Sequence, residues 1–266
     1  MSFRFISEYY DDERRKERLV DYLLPENPSR ETAIFFVHGG GYRAGTREGS
    51  FRGVIRALNE MGYICATVSY RKTESTIFDM IADVRAGYRF FLQFLEENGR
   101  PPRVAAFGTS AGAELAGLLT MAEPGESGES LEDGMPDVHE WVRPVGLALQ
   151  ATPVTFEPRE SNSPEHRALR EDIVGKSYEE APGLYKGLSL MHYVRPGLCP
   201  VFMMEAEKEH IFSYEESMDF ARRLREAGVR VESKLYIGAE HGFIYDVTRS
   251  VQKEAVADLA AFVESL

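Results

Sequence analysis

The chain has 266 residues, of which 43% are hydrophobic and 28% charged, and this composition excludes collagen, coiled coil and wholesale disorder. The formal charge of −12 disfavours nucleic acids and anionic membrane surfaces as partners, because both are recognised through basic side chains. A small molecule is therefore the expected partner. The two cysteines lie outside any CxxC pattern, so the sequence predicts no metal site.

The N-terminal residues MSFRFISEYYDDERRKERLV contain no apolar stretch of the kind found in signal peptides. No run in the chain approaches the roughly 18 apolar residues that a membrane-spanning helix needs. We therefore expect a cytoplasmic protein with no membrane segment.

Short runs rich in β-branched and aromatic residues alternate along the chain with longer amphipathic stretches. Strands are predicted at 18–24, 33–37, 63–70, 104–107, 145–150, 201–205 and 231–237, and helices at 51–61, 78–97, 111–121, 214–227 and 251–266. This alternation predicts one α/β domain over residues 1–266, with a mostly parallel central sheet and helices on both faces. Two polar segments, 123–141 and 155–193, are candidates for covering a site; the second is predicted to be irregular with short helical pieces.

A sharp turn is predicted at Gly108-Thr109-Ser110-Ala111-Gly112, which fits the pattern GxSxG. The motif follows one predicted strand and opens the next helix, which is the setting of a nucleophile that projects from the tip of a turn. Ser110 is therefore the candidate nucleophile. The alternative is an ordinary turn in which a serine caps the helix.

Three glycines follow another predicted strand in His38-Gly39-Gly40-Gly41. Consecutive glycines let backbone N–H groups approach an anion closely, as the developing oxyanion of acyl transfer requires. The predicted donors are Gly40 and Gly41, together with the N–H of Ala111. Tyr42 follows directly and is predicted to contact the substrate, whereas His38 is expected to order the loop.

His241 lies in the segment Ala239–Phe243, directly after the last predicted strand. The carboxyl ends of parallel strands meet at one edge of the sheet. A histidine at that edge can reach the hydroxyl of Ser110 and take its proton. His241 is therefore the candidate general base.

Together the three motifs resemble the α/β-hydrolase fold, and specifically the HGGG-type esterases of the hormone-sensitive-lipase and BD-FAE-like carbohydrate-esterase groups. The resemblance extends from about Arg18 to the C-terminus. It implies hydrolysis of a carboxylic ester by a Ser/acid/His triad without a cofactor. The segment before the first predicted strand is short, so a small or absent cap is expected, and a homodimer is one expected assembly.

The acid of the triad is usually Asp in related esterases, and no Asp occupies the corresponding loop here. In those proteins the acid stands nine residues after the proline that begins the preceding strand, and two apolar positions follow. Counting from Pro200 gives Glu209, followed by Ile211 and Phe212. Glu209 is the predicted acid, with Glu205, Glu207 and Asp246 as rivals.

The sequence therefore predicts a serine carboxylesterase that acts on short-acyl esters, with acylated sugars as one candidate class. The bulky residues after the glycine loop and the scarcity of apolar surface in 155–193 favour short acyl groups. Two alternatives stay open: an arylformamidase-like amide hydrolase on the same triad, and a ligand-binding protein without catalysis. No residue pattern identifies the acid or the alcohol of the ester.

Overall fold

The computed structural model of the protein describes residues 5–130, 141–159 and 162–266. Within these residues a sheet of eight strands forms the centre of the molecule, in the order β1-β2-β4-β3-β5-β6-β7-β8. The strands are β1 (Ile6–Tyr9), β2 (Leu19–Leu23), β3 (Ala33–Val37), β4 (Cys65–Val68), β5 (Val104–Thr109), β6 (Gly146–Gln150), β7 (Val201–Lys208) and β8 (Val231–Glu240). The six strands β4, β3, β5, β6, β7 and β8 are neighbours in that order, and each pairs with the next in parallel. Strand β2 is antiparallel to both of its neighbours, β1 and β4.

Helices cover both faces of this sheet. They are α1 (Arg52–Glu60), α2 (Ile77–Glu97), α3 (Ala111–Met121), α4 (Pro164–Val174), α5 (Pro182–Gly187), α6 (Tyr214–Glu226) and α7 (Ser250–Glu264). Strand β3 shows why two layers form, because side chains alternate along a strand. Phe35 and Val37 join the core under α2 and α3, whereas Ile34 and Phe36 join the core under α1 and α7. The predicted α/β sheet with helices on both faces is thus confirmed.

The structure adds strand β1, which the sequence analysis did not predict. Its sequence, ISEY, has no strict alternation of apolar and polar residues that would distinguish a strand from a loop, and all four residues are exposed. Strands β7 and β8 also run further than predicted, to Lys208 and Glu240. These two residues pair with each other beyond an irregularity after Ala206, and the extension brings the ends of both strands to the same edge of the sheet.

Helix α4 occupies part of the segment 155–193, where only short helical pieces were predicted. Its boundaries follow ordinary end signals. The Ser163 side chain accepts a hydrogen bond from the N–H of His166, Pro164 is the first residue, and Gly175 ends the helix in a left-handed conformation. Residues 131–140 of the other candidate cover lie outside the described part of the chain. None of the helices in the described ranges has the length and apolarity to cross a bilayer.

Candidate active site

Ser110 stands at the turn between β5 and α3. Its φ of 56° and ψ of −128° place a non-glycine residue in a strained region of backbone space. The turn is held by a 2.9 Å hydrogen bond from the Ser110 N–H to the carbonyl of Gln150. At Gly112 a Cβ would lie 2.2 Å from the carbonyl oxygen of Val37, so only glycine lets α3 approach the sheet this closely.

The glycine loop after β3 lies beside this turn. Gly40 has a φ of 123°, and a Cβ there would lie 2.3 Å from the carbonyl oxygen of Ala44, so the loop requires glycine at this position. In the described residues, the N–H groups of Gly40, Gly41 and Ala111 donate to no protein acceptor. The N–H of Gly39 donates instead to the Tyr245 hydroxyl, at 3.2 Å. The three predicted donors are thus available to a bound oxygen.

His38 is buried beneath the loop. Its Nδ1 lies 2.7 Å from the carbonyl oxygen of Gly39, and since a carbonyl only accepts, Nδ1 carries the proton. The ring stacks on Tyr70 with a centroid distance of 4.4 Å. Burial is the main cause that lowers the pKa of His38 to about 4, so the ring is neutral near pH 7. These contacts fit the expected role in ordering the loop.

Tyr42 and Glu114 form a buried pair at the back of the site. The Tyr42 hydroxyl donates a hydrogen bond to Oε2 of Glu114, in the first turn of α3. Burial raises the pKa of Glu114 to about 8, and its Oε1 has no partner within the described residues. Tyr42 lines the cavity, as predicted for a substrate contact, but its hydroxyl is engaged by Glu114. Glu114 is not among the residues predicted from the sequence, although an acid inside the apolar stretch AGAELAGLLTM was a usable signal.

The structure brings Glu209 and His241 together. Nδ1 of His241 lies 2.8 Å from Oε2 and 2.9 Å from Oε1 of Glu209. Oε1 also accepts hydrogen bonds from the backbone N–H groups of Ile211, at 2.8 Å, and His210, at 3.1 Å. Burial opposes ionisation of this carboxyl, but the hydrogen bonds from His241 and Ile211 outweigh it and lower the pKa of Glu209. An ionised Glu209 accepts from Nδ1–H and leaves Nε2 of neutral His241 free to take a proton.

The two rival glutamates have other surroundings. Glu207 is exposed, and its carboxylate accepts a 2.7 Å hydrogen bond from the N–H of Gly238. Glu205 is buried in β7, where burial, followed by the negative charge of Glu209, raises its pKa to about 7. Asp246, the remaining rival, accepts from the N–H of Val247. Of the four predicted candidates, Glu209 alone is hydrogen-bonded to His241.

One cavity of about 290 Å³ contacts Ser110, His241 and the three predicted N–H donors. It is lined by Gly40, Gly41, Tyr42, Ser110, Ala111, Pro153, Asn162, His166, Leu169, Arg170, Ile211, Phe212, His241 and Tyr245. A larger depression of about 1140 Å³, lined by residues 7–15, Arg18, Arg89 and Phe90, contains none of the predicted site residues. In the described ranges no cluster of three or more His, Cys, Asp or Glu side chains could hold a metal ion.

The order of the sheet, the strained serine after β5 and the histidine after β8 define an α/β-hydrolase. The family model described as BD-FAE matches residues 20–224, and the chain therefore belongs to the BD-FAE family. The model of the dienelactone hydrolase family matches residues 191–265, which include Glu209 and His241.

The individual relatives have low sequence identity to this chain. The isoprenylcysteine alpha-carbonyl methylesterase ICME of Arabidopsis thaliana is 26% identical over 96% of this chain and 61% of its own length. Esterase LipQ of Mycobacterium tuberculosis is 24% identical over 91% of this chain and 58% of its own length. The chain thus spans about 60% of these curated relatives. Among solved structures, Thermogutta terrifontis esterase 2 phosphonylated by sarin superposes with a TM-score of 0.83 at 20% identity, covering 98% of this chain and 94% of that one.

Proposed function

We propose that the protein hydrolyses carboxylic esters through Ser110, His241 and Glu209. The observation that carries this proposal is the pair formed by Glu209 and His241, at 2.8 Å, at the cavity that Ser110 also lines. Membership of the BD-FAE family supports it, and so do the relatives, which are named as esterases and lipases.

In the first half of the reaction, the Ser110 hydroxyl attacks the ester carbonyl while Nε2 of His241 takes its proton. Glu209 stabilises the imidazolium that forms and holds the ring in the required tautomer. The negative charge that develops on the carbonyl oxygen is received by the N–H groups of Gly40, Gly41 and Ala111.

Collapse of this intermediate breaks the bond between the acyl carbon and the alcohol oxygen. His241 gives its proton to the departing alcohol, and an acyl-enzyme remains on Ser110. Water then attacks the acyl carbon as His241 takes its proton. Transfer of that proton back to Ser110 releases the acid and restores the enzyme.

The cavity favours short acyl groups. Its volume of about 290 Å³ lies at the lower end of small-molecule sites, which run from about 300 to 1,000 Å³. Tyr42, Leu169 and Phe212 are among its walls, and part of the segment 155–193 covers it through α4. We infer acyl groups of roughly two to four carbons, a limit that an acetylated sugar meets. The homodimer and the cytoplasmic location do not bear on this reaction and stay predictions of the sequence.

A parallel assay of p-nitrophenyl butyrate and N-formylkynurenine tests the reaction class. We expect wild-type protein to hydrolyse the ester with the higher kcat/KM, and Ser110→Ala to lose this activity. A higher kcat/KM for N-formylkynurenine would support an amide hydrolase instead. Absence of turnover on both compounds, and on the remaining members of an acyl-ester series, would support a binding protein without catalysis.

A further inference from the structure

The wall that α4 contributes to the cavity carries basic side chains. Arg170 and His166 both line the space that contains Ser110. They stand four residues apart on the helix, and residues with this spacing share a face. None of the described residues that line the cavity is Asp or Glu, although the chain has 43 acidic and 31 basic residues. A described lining with basic and no acidic side chains, in so acidic a protein, favours a negatively charged ligand.

Arg170 is held in place by uncharged groups. One terminal nitrogen donates to the carbonyl oxygens of Phe156, at 3.0 Å, and Glu157, at 3.3 Å, and to the side-chain oxygen of Asn162, at 3.2 Å. The other donates to the carbonyl oxygen of Thr155, at 3.3 Å. The guanidinium has five N–H groups, so Nε–H and one terminal N–H have no acceptor within the described residues. A guanidinium that is held in place and has two N–H groups without an acceptor can bind a carboxylate through a pair of hydrogen bonds.

Within the described residues Arg170 forms no ion pair with an acidic side chain. Asp172, two residues along α4, binds Arg43 instead, with distances of 2.5 and 3.1 Å. Glu114 lies behind Tyr42, and because burial raises its pKa to about 8, it is mostly neutral near pH 7. The charge of Arg170 is therefore available to a ligand.

We propose that the substrate is an ester bearing a carboxylate, which Arg170 binds while Ser110 attacks the ester carbonyl. This inference rests on the proposed ester hydrolysis and adds the chemical class of the substrate to it. Hydrogen bonds to charged groups are stronger than those between neutral groups, and screening by water is weaker in a cavity than on a surface. The spacing of Arg170 and His166 on one helix face allows both to donate to the same anion.

Pairs of esters that differ only in this charge test the proposal. Monomethyl succinate and methyl succinamate carry a carboxylate or an amide on the acyl half, and 4-acetoxybenzoate and 4-acetoxybenzamide carry them on the alcohol half. For each pair we define the charge preference as the ratio of kcat/KM for the carboxylate to that for the amide, corrected for the rates with hydroxide. This ratio cancels damage to folding or to the triad, because both members of a pair depend equally on them.

In wild-type protein we expect a charge preference above one for at least one pair. Arg170→Met should lower it on the order of tenfold to a hundredfold, and Arg170→Lys less, because the ammonium keeps the charge without the fork of donors. Arg167→Met is the matched control, since Arg167 is exposed on the same helix and does not line this cavity. Its charge preference should equal that of wild type.

Salt gives a second readout. Raising the ionic strength from about 0.02 to 0.5 M should lower the charge preference of wild type relative to that of Arg170→Met, because the attraction to Arg170 is screened in wild type alone, whereas the repulsion by the net charge of −12 is screened in both proteins. A preference below one for both pairs, or one that neither salt nor Arg170→Met alters, would overturn the inference while hydrolysis of the amide members left the proposed ester hydrolysis intact. Failure to hydrolyse any ester would contradict the proposed function itself.

Discussion

Oε2 of Glu209 accepts a 2.8 Å hydrogen bond from Nδ1 of His241. Oε1 accepts hydrogen bonds from two backbone N–H groups of the loop that contains Glu209. The loop therefore holds the carboxylate through contacts that do not involve the imidazole. A glutamate side chain is one methylene longer and more flexible than an aspartate, and such an anchor offsets the entropy of holding it in place. This arrangement supports the proposed use of a glutamate at a position where related esterases usually have aspartate.

Replacing Glu209 with Gln should lower kcat on the order of 10³- to 10⁴-fold, because an amide neither stabilises the imidazolium nor enforces the tautomer. Steady-state kinetics on p-nitrophenyl butyrate measures the loss. Glu207→Gln is the matched control, since Glu207 lies two residues away and is exposed, and it should retain nearly wild-type kcat. A nearly wild-type kcat in Glu209→Gln would contradict the assignment of Glu209 as the triad acid.

Tyr42→Phe should destabilise the fold, because it leaves the buried carboxyl of Glu114 without its hydrogen-bond donor. We expect a loss on the order of 1–3 kcal/mol in the free energy of unfolding, measured by urea denaturation. Tyr178→Phe is the control, because no hydrogen bond of the Tyr178 hydroxyl exists in the described residues, and it should be nearly neutral. Equal stability of Tyr42→Phe and wild type would show that the buried pair contributes nothing.

Glu205→Gln should stabilise the protein more at pH 8 than at pH 5. Burial, the largest cause, raises the pKa of Glu205 to about 7, so between its unfolded pKa and pH 7 the folded state binds more protons than the unfolded state. Stability from this group is therefore lost as the pH rises through that window, and it stays lost above pH 7. The full effect is at most about 3 kcal/mol.

Thermal unfolding at the two pH values measures this difference. The exposed Glu232 of β8 supplies the control, and Glu232→Gln should change Tm by the same small amount at both. A gain in Tm for Glu205→Gln that does not depend on pH would refute the assigned role of burial.

A series of p-nitrophenyl esters from acetate to decanoate should show its highest kcat/KM at two to four acyl carbons, because the cavity holds only about 290 Å³. Leu169→Ala should shift the optimum to longer chains, since Leu169 lines the cavity, with each added CH₂ contributing about 0.8 kcal/mol where it is buried. Leu184→Ala on α5 serves as the control. A higher kcat/KM for decanoate than for acetate in wild-type protein would count against the short-acyl prediction.

Much of the architecture could be predicted from local patterns. Strand β3 is a fully apolar run, and helix α3 begins at the residue after Ser110, so pattern and turn chemistry agreed there with the fold. The α/β class followed from the order of such elements, and the α/β-hydrolase fold from the family resemblance that the three motifs carry. Glu209 was predicted from the resemblance to related esterases, in which the acid stands nine residues after the proline that corresponds to Pro200.

Other features depend on contacts between distant residues. The pairing of Lys208 with Glu240, which extends β7 and β8, arises only when the two strands lie side by side. Glu114 stands 72 residues from Tyr42, and no local periodicity links them. Arg170 gave no signal in the sequence, because its role depends on which wall of the cavity α4 forms. Such features are decided by contacts between residues that are far apart in the chain, and local sequence patterns do not reveal those contacts.

Ser110 is the proposed nucleophile, activated by the pair of His241 and Glu209. A fluorophosphonate probe reacts covalently with such a serine, and mass spectrometry of the digested protein identifies the modified residue. We expect stoichiometric modification of the peptide that contains Ser110, none in Ser110→Ala, and much slower modification in His241→Ala and Glu209→Gln, each checked to be folded by circular dichroism. Folded wild-type protein that leaves Ser110 unmodified, or reacts equally fast without His241, would contradict the account.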